Sequence, residues 1–519
     1  MSNITILWAD DEIDLLKPHI LFLEEKGYQV IGTPSGDEVM DILKDKRVDI
    51  VFLDENMPGL SGLETLELVK TKYPALPVIM ITKSEEEYIM EEAIGAKISD
   101  YLIKPVNPNQ ILLTVKKNLD TAKLVTAKST SNYQREFREI GMQLNDNLDF
   151  NEWGELFKKL VYWELELEKS NDGSMEEIFQ MQKNEANLQF GKFIEKSYQH
   201  WLSAKDEAPV MSHNLMAKYV FPHLKESEDS LFFVVIDNLR YDQWKSLRPI
   251  LSKDYWIDSE DIFYSILPTT TQYSRNAMFA GMMPSEIKKR FPDKWIDDEE
   301  EGGRNLHEKF FVENQLTRNG LSNVKISYNK VLNVSYGQKV LREVPSMFNN
   351  KLNIIVYNFV DMLSHARTDT EIVKELATDE AAYRSVVKSW FEHSTLIEIL
   401  KEIAARGGKV VITTDHGSVR VKEPSKIIGD KDTNTNLRYK QGKSLDYQEK
   451  EVYAVKNPED IHLPKVNVSQ SFVFAKNDYF FAYPNNFNHY VNYYKDTFQH
   501  GGISLDEILI PVVTLSAKK

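Results

Sequence analysis

Five short apolar runs alternate with helical patterns in the first 119 residues, and this alternation restricts the fold more than any other feature of the chain. The runs are Ile4–Trp8, Tyr28–Gly32, Ile50–Leu53, Val78–Ile81 and Ser99–Ile103. Strand-length runs separated by helical patterns such as Leu15–Lys26 predict βα units, and successive βα units form a doubly wound parallel sheet. Binding sites in such sheets lie at the carboxyl ends of the strands.

Polar side chains follow four of these five runs. Asp10 and Asp11 follow the first, Asp54 the third, Thr82 the fourth and Lys104 the fifth. Phosphorylation of a carboxylate requires a divalent cation, and Mg²⁺ prefers oxygen ligands, which the three aspartates and the backbone carbonyl of Asn56 can supply. The lysine and the threonine would then contact phosphoryl oxygens. Singly, paired acids are more often helix caps and a lysine is more often solvated, but the joint pattern favours a phosphorylation site.

The same segment resembles the CheY-like receiver family over its full length. The resemblance rests on AlaAspAspGlu (9–12), LeuAspGluAsnMetProGly (53–59), IleThrLys (81–83) and TyrLeuIleLysPro (101–105). It implies that residues 1–119 form a receiver domain and that Asp54 accepts the phosphoryl group. It also implies that Thr82 and Tyr101 form the switch pair that reports phosphorylation, with Lys104 beside them.

Strand patterns stop in residues 120–208, where apolar and aromatic residues recur at helical spacing. One such stripe contains Trp153, Leu156, Phe157 and Leu160. A helical linker bundle is predicted here. An aromatic stripe can line a cofactor, but packing between helices is the favoured interpretation.

The α/β pattern returns in residues 209–519, a length suited to one large α/β domain. The apolar runs Leu231–Ile236, Asn353–Val360 and Lys409–Thr414 each end directly before an aspartate. Five potential metal ligands lie at or near such ends, Asp237, Asp361, His365, Asp415 and His416, and a sixth, His500, precedes the final apolar run. Mixed carboxylate and imidazole ligands favour Zn²⁺ or Mn²⁺, and six of them favour two ions. Each residue alone is equally well explained as a cap, a turn or a surface histidine, so the prediction rests on their order.

That order resembles the alkaline phosphatase superfamily and, more narrowly, its PglZ branch. The motifs are ProThrThrThr (268–271), AspMetLeuSerHis (361–365), AspHisGly (415–417) and HisGlyGlyIleSerLeuAspGluIleLeuIlePro (500–511). The resemblance implies two Zn²⁺ sites, the first formed by Asp237, Thr271, Asp415 and His416 and the second by Asp361, His365 and His500. It implies Thr271 as the nucleophile, with Thr269 and Thr270 as alternatives.

Several neighbouring features remain open at this level. Arg240 and Arg275 are candidates for contact with a substrate phosphate or for surface salt bridges. The aromatic stretch from residue 487 to 498 could stack a nucleobase, although an ordinary helix face is slightly favoured. The charged segments Pro284–Gly320 and Val419–Lys450 are predicted to be insertions near the strand ends.

Composition excludes several classes of protein. Lys and Arg total 63 and Asp and Glu total 79, so the net charge of −16 argues against direct binding of genomic DNA, which requires a concentrated basic surface. No stretch approaches the roughly 20 apolar residues of a membrane span. The absence of cysteine excludes disulfides and thiolate ligands. A multidomain cytoplasmic protein is predicted.

The order of receiver, helical linker and PglZ domain resembles that of PorX-type response regulators, which are associated with type IX secretion. The resemblance implies a sensor histidine kinase as partner and a homodimer on phosphorylation. One hypothesis makes the output a zinc-dependent phosphodiesterase or phosphatase acting on nucleotides or oligonucleotides. The alternative is a non-enzymatic signalling protein whose metal-bound PglZ domain binds a sigma factor or a secretion component. The complete ligand set and the threonine nucleophile favour the enzyme.

Overall fold

The computed structural model describes residues 4–74, 76–82, 98–170, 173–204, 207–297, 303–369, 377–430 and 433–518. The chain divides into two compact units, residues 1–134 and residues 135–519. Within the described ranges, no helix combines the length and the apolar character needed to cross a membrane.

The first unit is built on five parallel strands. These are β1 (Thr5–Ala9), β2 (Gln29–Thr33), β3 (Ile50–Asp54), β4 (Val78–Thr82) and β5 (Asp100–Ile103), in the sheet order β2-β1-β3-β4-β5. The described helices between the strands are α1 (Lys17–Glu25), α2 (Gly36–Asp45) and α3 (Gly62–Lys72). Separate apolar clusters cover the two faces of the sheet, one containing Leu66 and the other Leu23, which explains why the central strands are continuously hydrophobic. The predicted doubly wound fold is confirmed.

Three long helices follow: α4 (Pro108–Gln143), α5 (Phe150–Ser170) and α6 (Gly173–Ser203). Helix α4 continues without a break past residue 119, so the predicted receiver boundary falls within one helix. Helices α5 and α6 pack through aromatic side chains, with the ring of Trp153 centred 5.2 Å from that of Phe190. The aromatic stripe is therefore a packing face between helices.

Among the described residues, the remaining strands belong to one large sheet and three small ones. They are β6 (Leu231–Ile236), β7 (Tyr255–Tyr264), β8 (Ile326–Val331), β9 (Leu352–Tyr357), β10 (Lys409–Thr413), β11 (Val419–Arg420), β12 (Glu423–Lys426), β13 (Tyr439–Lys443), β14 (Val452–Val455), β15 (Gln470–Ala475), β16 (Tyr479–Ala482), β17 (Phe498–Gln499) and β18 (Leu509–Ala517). The large sheet has the order β7-β18-β10-β6-β9-β8. Strands β10, β6, β9 and β8 are parallel, whereas β18 and β7 pair antiparallel. The small sheets are β13-β15-β14, β11-β17 and β12-β16.

Helices surround the large sheet. They are α7 (Leu215–Tyr219), α8 (Phe221–Glu226), α9 (Tyr241–Leu251), α10 (Thr271–Ala280), α11 (Pro284–Arg290), α12 (Glu308–Arg318), α13 (Val334–Met347), α14 (Phe359–Asp369), α15 (Glu380–His393), α16 (Thr395–Ala405), α17 (Phe487–Tyr494) and α18 (Leu505–Ile508). The apolar run predicted as one strand, Asn353–Val360, is divided between β9 and α14. Phe359 and Val360 extend the apolar pattern because the start of the helix is also packed against the interior, where Phe359 stacks on Trp390.

Candidate functional sites

The carboxyl end of the first sheet brings Asp10, Asp54 and Lys104 together. The ammonium of Lys104 lies 2.6 Å from Asp54 Oδ1 and 3.0 Å from Asp10 Oδ2. Both aspartates are buried. Burial raises the pKa of Asp54; the Lys104 charge opposes this rise, and the charges of Asp10 and Asp11 add to it. A bound cation would reduce the repulsion between these carboxylate charges.

The other receiver residues predicted from the sequence lie around this group. A carboxylate oxygen of Asp11 lies within 4.8 Å of those of its two acidic neighbours in the chain. Asn56 is exposed in the loop after β3. The hydroxyl of Thr82 donates to the carboxylate of Glu55, and Tyr101 is 41% exposed.

Two aspartates, Asp237 after β6 and Asp415 after β10, are fully buried at the carboxyl edge of the large sheet. Asn238 links them to a third acid, because its backbone N–H donates to Asp415 Oδ1 (3.3 Å) and its amide donates to Asp361 Oδ1 (3.4 Å). Asn238 has a φ of 63°, a conformation that asparagine adopts more readily than most residues. No pattern in the sequence marks Asn238 as part of the site.

Two histidines stack beside these acids, with the ring centroids of His416 and His500 4.3 Å apart. His416 Nδ1 lies 3.1 Å from the carbonyl oxygen of Gly417, and His500 Nδ1 lies 3.2 Å from that of Thr269. A proton on each Nδ1 donates to these carbonyls and leaves the Nε2 lone pairs available, as in metal-binding histidines. Burial and the neighbouring His500 lower the pKa of His416 to about 4, which keeps its ring neutral.

The three threonines of the ProThrThrThr motif have different surroundings. The hydroxyl of Thr271 lies 3.1 Å from His416 Nε2 and donates to Asp237 Oδ1 at 3.3 Å. The hydroxyl of Thr269 donates instead to the Gly502 carbonyl, and that of Thr270 is buried without a hydrogen-bond partner. The geometry supports Thr271 over its neighbours because its oxygen is the one that contacts the acid and imidazole cluster.

Asp361 and His365 lie four residues apart in the first turns of α14, with Asp361 Oδ2 3.5 Å from His365 Nε2. On its other side, Asp361 Oδ1 lies 3.4 Å from His500 Nε2. Burial acts to raise the pKa of Asp361, but the hydrogen bond and charge of His500 outweigh it and the pKa falls below its ordinary value. The His365 side chain is 61% exposed, so it lies at the rim of the site.

The ligand atoms form two overlapping groups. Asp237, Asp415 and His416 make one, and Asp361, His416 and His500 make the other, with the atoms in each within 4.8 Å of one another. His416 is common to both and His365 lies outside both, whereas the sequence motifs assigned His416 to the first site and His365 to the second.

These side chains fit divalent cations. Burial raises the pKa of Asp237 to about 7, and the charges of Asp415 and Asp361 add to the rise. Asp415 Oδ2 is buried and accepts no hydrogen bond. A closely packed set of carboxylates and imidazoles, in which Asp415 Oδ2 has the Arg275 guanidinium at 3.6 Å as a charge partner, matches the ligands of a transition metal such as Zn²⁺.

Both arginines proposed to contact substrate are buried in ion pairs. Arg275 donates from Nη1 to Asp237 Oδ2 (2.9 Å) and from Nε to Glu308 Oε1 (2.7 Å). Arg240 pairs with Asp242. Each guanidinium is at most 1% exposed, so neither substrate contact nor a surface salt bridge is correct. The arginines instead offset the charge of buried carboxylates.

A cavity of about 840 Å³ opens beside His365 and His500. Its wall is rich in amides and hydroxyls, supplied mainly by residues 433–441, with Arg304 at the edge. Both predicted insertions therefore contribute to the site, although residues 298–302 and 431–432 within them lie outside the described ranges. The cavity wall is joined to the segment that follows His500 by Arg438, which pairs with Glu507 at 2.7 Å while Glu507 accepts the Gly502 N–H at 2.9 Å.

The aromatic stretch before His500 forms helix α17 and its continuation. Tyr494 packs on an apolar cluster that contains Val421, and Phe498 stacks on Tyr383 at 4.1 Å. These contacts support the ordinary helix face over a base-stacking platform.

Three families match the chain by sequence. Residues 215–515 match the BREX system PglZ alkaline phosphatase-like domain, residues 123–202 the PorX response regulator linker domain, and residues 6–116 the response regulator receiver domain. The succession is the PorX-type architecture predicted from the sequence, which is thereby confirmed.

Individual relatives match the receiver part of the chain. Transcriptional regulatory protein ResD of Bacillus subtilis is 32% identical over 111 residues, which is 21% of this chain and 46% of ResD. YvrH of the same organism is 31% identical over 140 residues, 26% of this chain and 56% of YvrH. The chain thus spans about half the length of these curated relatives. A CheY-like receiver structure from Methanospirillum hungatei is 28% identical and covers 23% of this chain and 96% of its own, with a TM-score of 0.23.

Proposed function

The chain belongs to the family of PglZ alkaline phosphatase-like domains, and on that premise we propose that it is a response regulator whose output is a two-metal phosphodiesterase or phosphatase. The observation that carries the proposal is the placement of Thr271. Its hydroxyl contacts both His416 and Asp237 at the start of α10. A threonine hydroxyl becomes an effective nucleophile when its pKa is lowered. A metal ion bound beside His416 and Asp237 would lower the pKa of the Thr271 hydroxyl.

Two Zn²⁺ ions would be held by this chain's strand-end residues. The first site comprises Asp237, Thr271, Asp415 and His416, and the second comprises Asp361, His365 and His500. When bound, the ions would offset the phosphate charge, favour the deprotonated hydroxyl and stabilise the leaving oxygen. This division is supported by the nearest carboxylates: His416 Nε2 lies 3.7 Å from Asp237 Oδ1 and His500 Nε2 lies 3.4 Å from Asp361 Oδ1, while His416 also lies within reach of the second group.

The residues of the site have separate roles in the proposed reaction. The oxygen of Thr271 loses its proton to water and attacks phosphorus, and the bond to the leaving oxygen breaks, so that this oxygen takes up a proton and departs as the alcohol. A water molecule then hydrolyses the phosphothreonine, which releases the phosphate or phosphomonoester and restores the Thr271 hydroxyl. The backbone N–H groups in the first turn of α10 would help to bind the phosphate because helix N-termini attract anions. Arg275 and Asn238 fix the carboxylates of Asp237, Asp361 and Asp415 in place.

The substrate we propose is a nucleotide or an oligonucleotide. A cavity of about 840 Å³ is large enough for groups beyond the reacting phosphate. Its amide and hydroxyl wall offers hydrogen bonds of the kind that recognise base edges and sugar hydroxyls.

The receiver would be phosphorylated on Asp54 by a sensor histidine kinase. The Mg²⁺ site would comprise Asp10, Asp11, Asp54 and the carbonyl of Asn56, with Lys104 on the phosphoryl group and Thr82 and Tyr101 as the switch pair. We further propose that phosphorylation promotes a homodimer, and that the protein acts in the cytoplasm in control of type IX secretion.

A phosphoester screen of the zinc-loaded protein tests the proposed output. We expect turnover of bis(p-nitrophenyl) phosphate and of short oligonucleotides, at least about tenfold faster than after chelation, because the ions stabilise the charge that develops at the leaving oxygen. The panel includes p-nitrophenyl phosphate and mono-, di- and cyclic nucleotides. Zinc-loaded protein that hydrolyses none of them would contradict the enzyme hypothesis and favour a binding role.

A further inference from the structure

Helix α6 of the linker contacts both loops that carry the proposed catalytic residues. The threonine loop is defined here as residues 265–271, which end at Thr271. The histidine loop comprises residues 500–507, which begin at His500. Buried polar side chains of α6 reach each loop directly.

The histidine loop is held by Lys183 and Asn187. Asn187 Oδ1 accepts the backbone N–H of Leu505 at 2.8 Å. Lys183 lies between Glu164 of α5 (2.9 Å) and Asp506 of the loop (3.3 Å), with all three side chains at most 7% exposed. Removing one member of such a buried set leaves an uncompensated charge, so the contacts are tightly determined.

The threonine loop is held by Tyr198. Its hydroxyl oxygen accepts the backbone N–H of Leu267 at 2.8 Å, four residues before Thr271. The tyrosine is 1% exposed and its ring packs near Trp201.

These three side chains lie on one face of the helix. Lys183 and Asn187 are four residues apart, and Tyr198 follows Asn187 by eleven residues, close to three full turns. Eleven residues span about 16 Å along a helix axis. A single rigid element therefore fixes the separation of the two loops.

The histidine loop also contacts the ligands of the neighbouring strand. A Cβ at Gly417 would lie 1.9 Å from the Asp506 carbonyl oxygen, and the Gly417 N–H donates to the Glu507 carbonyl. Gly417 directly follows His416. Because the packing leaves no space here, displacement of Asp506 moves the Asp415–His416 segment with it.

We propose that α6 holds the threonine and histidine loops at the separation that the reaction requires, so that Lys183, Asn187 and Tyr198 are positioning residues for the hydrolytic site. This inference rests on the proposed function. Under this proposal the linker is part of the catalytic apparatus, and a movement of α6 would directly change the rate of hydrolysis. A displacement of about 1 Å at a reacting group can cost about 100-fold in rate.

Two matched pairs of variants in the full-length, zinc-loaded protein test it. Tyr198→Phe is compared with Tyr255→Phe, which removes a buried hydroxyl that donates to the Leu400 carbonyl. Asn187→Ala is compared with Asn353→Ala, a buried asparagine near the start of β9, away from the strand ends that carry the ligands. We expect Tyr198→Phe and Asn187→Ala to lower kcat about tenfold or more with KM within about twofold, and the controls to retain kcat within about twofold.

Hydrogen exchange at the backbone amides of the two loops provides a readout independent of turnover. Exchange in both loops should quicken in Tyr198→Phe and Asn187→Ala and stay at the wild-type rate in the controls. Equal kcat and equal exchange in test and control variants would overturn the inference. If wild type shows no turnover, the proposed function fails, and the exchange comparison alone decides whether α6 holds the loops.

Discussion

Replacing Thr271 with valine is expected to reduce hydrolysis of a chromogenic phosphodiester by at least about 10³-fold, because the attacking oxygen is removed while the shape of the side chain is kept. The proposed metal ligands Asp237 and His416 remain in place, so we expect the variant still to bind Zn²⁺ with a modest loss of affinity. Steady-state kcat and metal content, measured on the same preparation, check both expectations.

Thr270→Val is the matched control for this experiment. Thr270 precedes the proposed nucleophile, and its hydroxyl is buried without a hydrogen-bond partner. Its replacement should change kcat by less than about threefold, because valine has nearly the same shape as threonine and the Thr270 hydroxyl forms no hydrogen bond that could be lost. A Thr271→Val protein with full turnover would contradict the covalent mechanism. A Thr270→Val protein with no turnover would show that the assignment of Thr271 as the nucleophile is wrong.

Replacing Asp54 with asparagine is expected to abolish phosphoryl transfer to the receiver. The amide cannot form the acyl phosphate, although it retains the size needed to fill the space beside Lys104. Incubation with acetyl phosphate and Mg²⁺, followed by intact-mass measurement, should show one phosphoryl group on wild type and none on the variant.

Asp14→Asn serves as the control for phosphorylation, because Asp14 is 88% exposed in a surface pair with Lys17. This variant should be phosphorylated to the wild-type extent. Phosphoryl uptake by Asp54→Asn at the wild-type level would show that another residue is the acceptor.

The positions of the candidate ligand acids at the edge of the sheet could be predicted from the sequence because each position depends on a local pattern. A run of apolar residues followed by an aspartate, as at Asp237 and Asp415, predicts a strand and places the aspartate at the carboxyl end of that strand. Asp361 was predicted to follow a strand directly, but it lies in helix α14. The boundary was not predicted because the apolar pattern runs from β9 into α14 without a break.

The contacts that hold these acids could not be predicted in the same way. Asn238 and Asp415 are 177 residues apart, and Arg438 and Glu507 are 69 residues apart. No local pattern states that such residues meet, because the meeting depends on the order of strands in the sheet. For the same reason the sequence left Arg275 open between a substrate contact and a surface salt bridge, whereas its guanidinium is enclosed between Asp237 and Glu308.

The linker shows the same limitation on a larger scale. Helical spacing predicted its helices and their aromatic packing, but the polar face of α6 has no signature that distinguishes it from a solvated face. Lys183 and Asn187 read as ordinary surface residues until the histidine loop is placed against them.

Calorimetric titration of metal-free protein with Zn²⁺, paired with turnover of bis(p-nitrophenyl) phosphate at each addition, tests the central claim most directly. We expect two equivalents to bind in the second unit and hydrolysis to reach its maximum as the second is taken up, with Asp237→Asn losing one equivalent and its turnover. Two bound equivalents without hydrolysis, or hydrolysis that persists unchanged in the absence of bound metal, would contradict the proposal that this response regulator is a two-metal phosphoesterase.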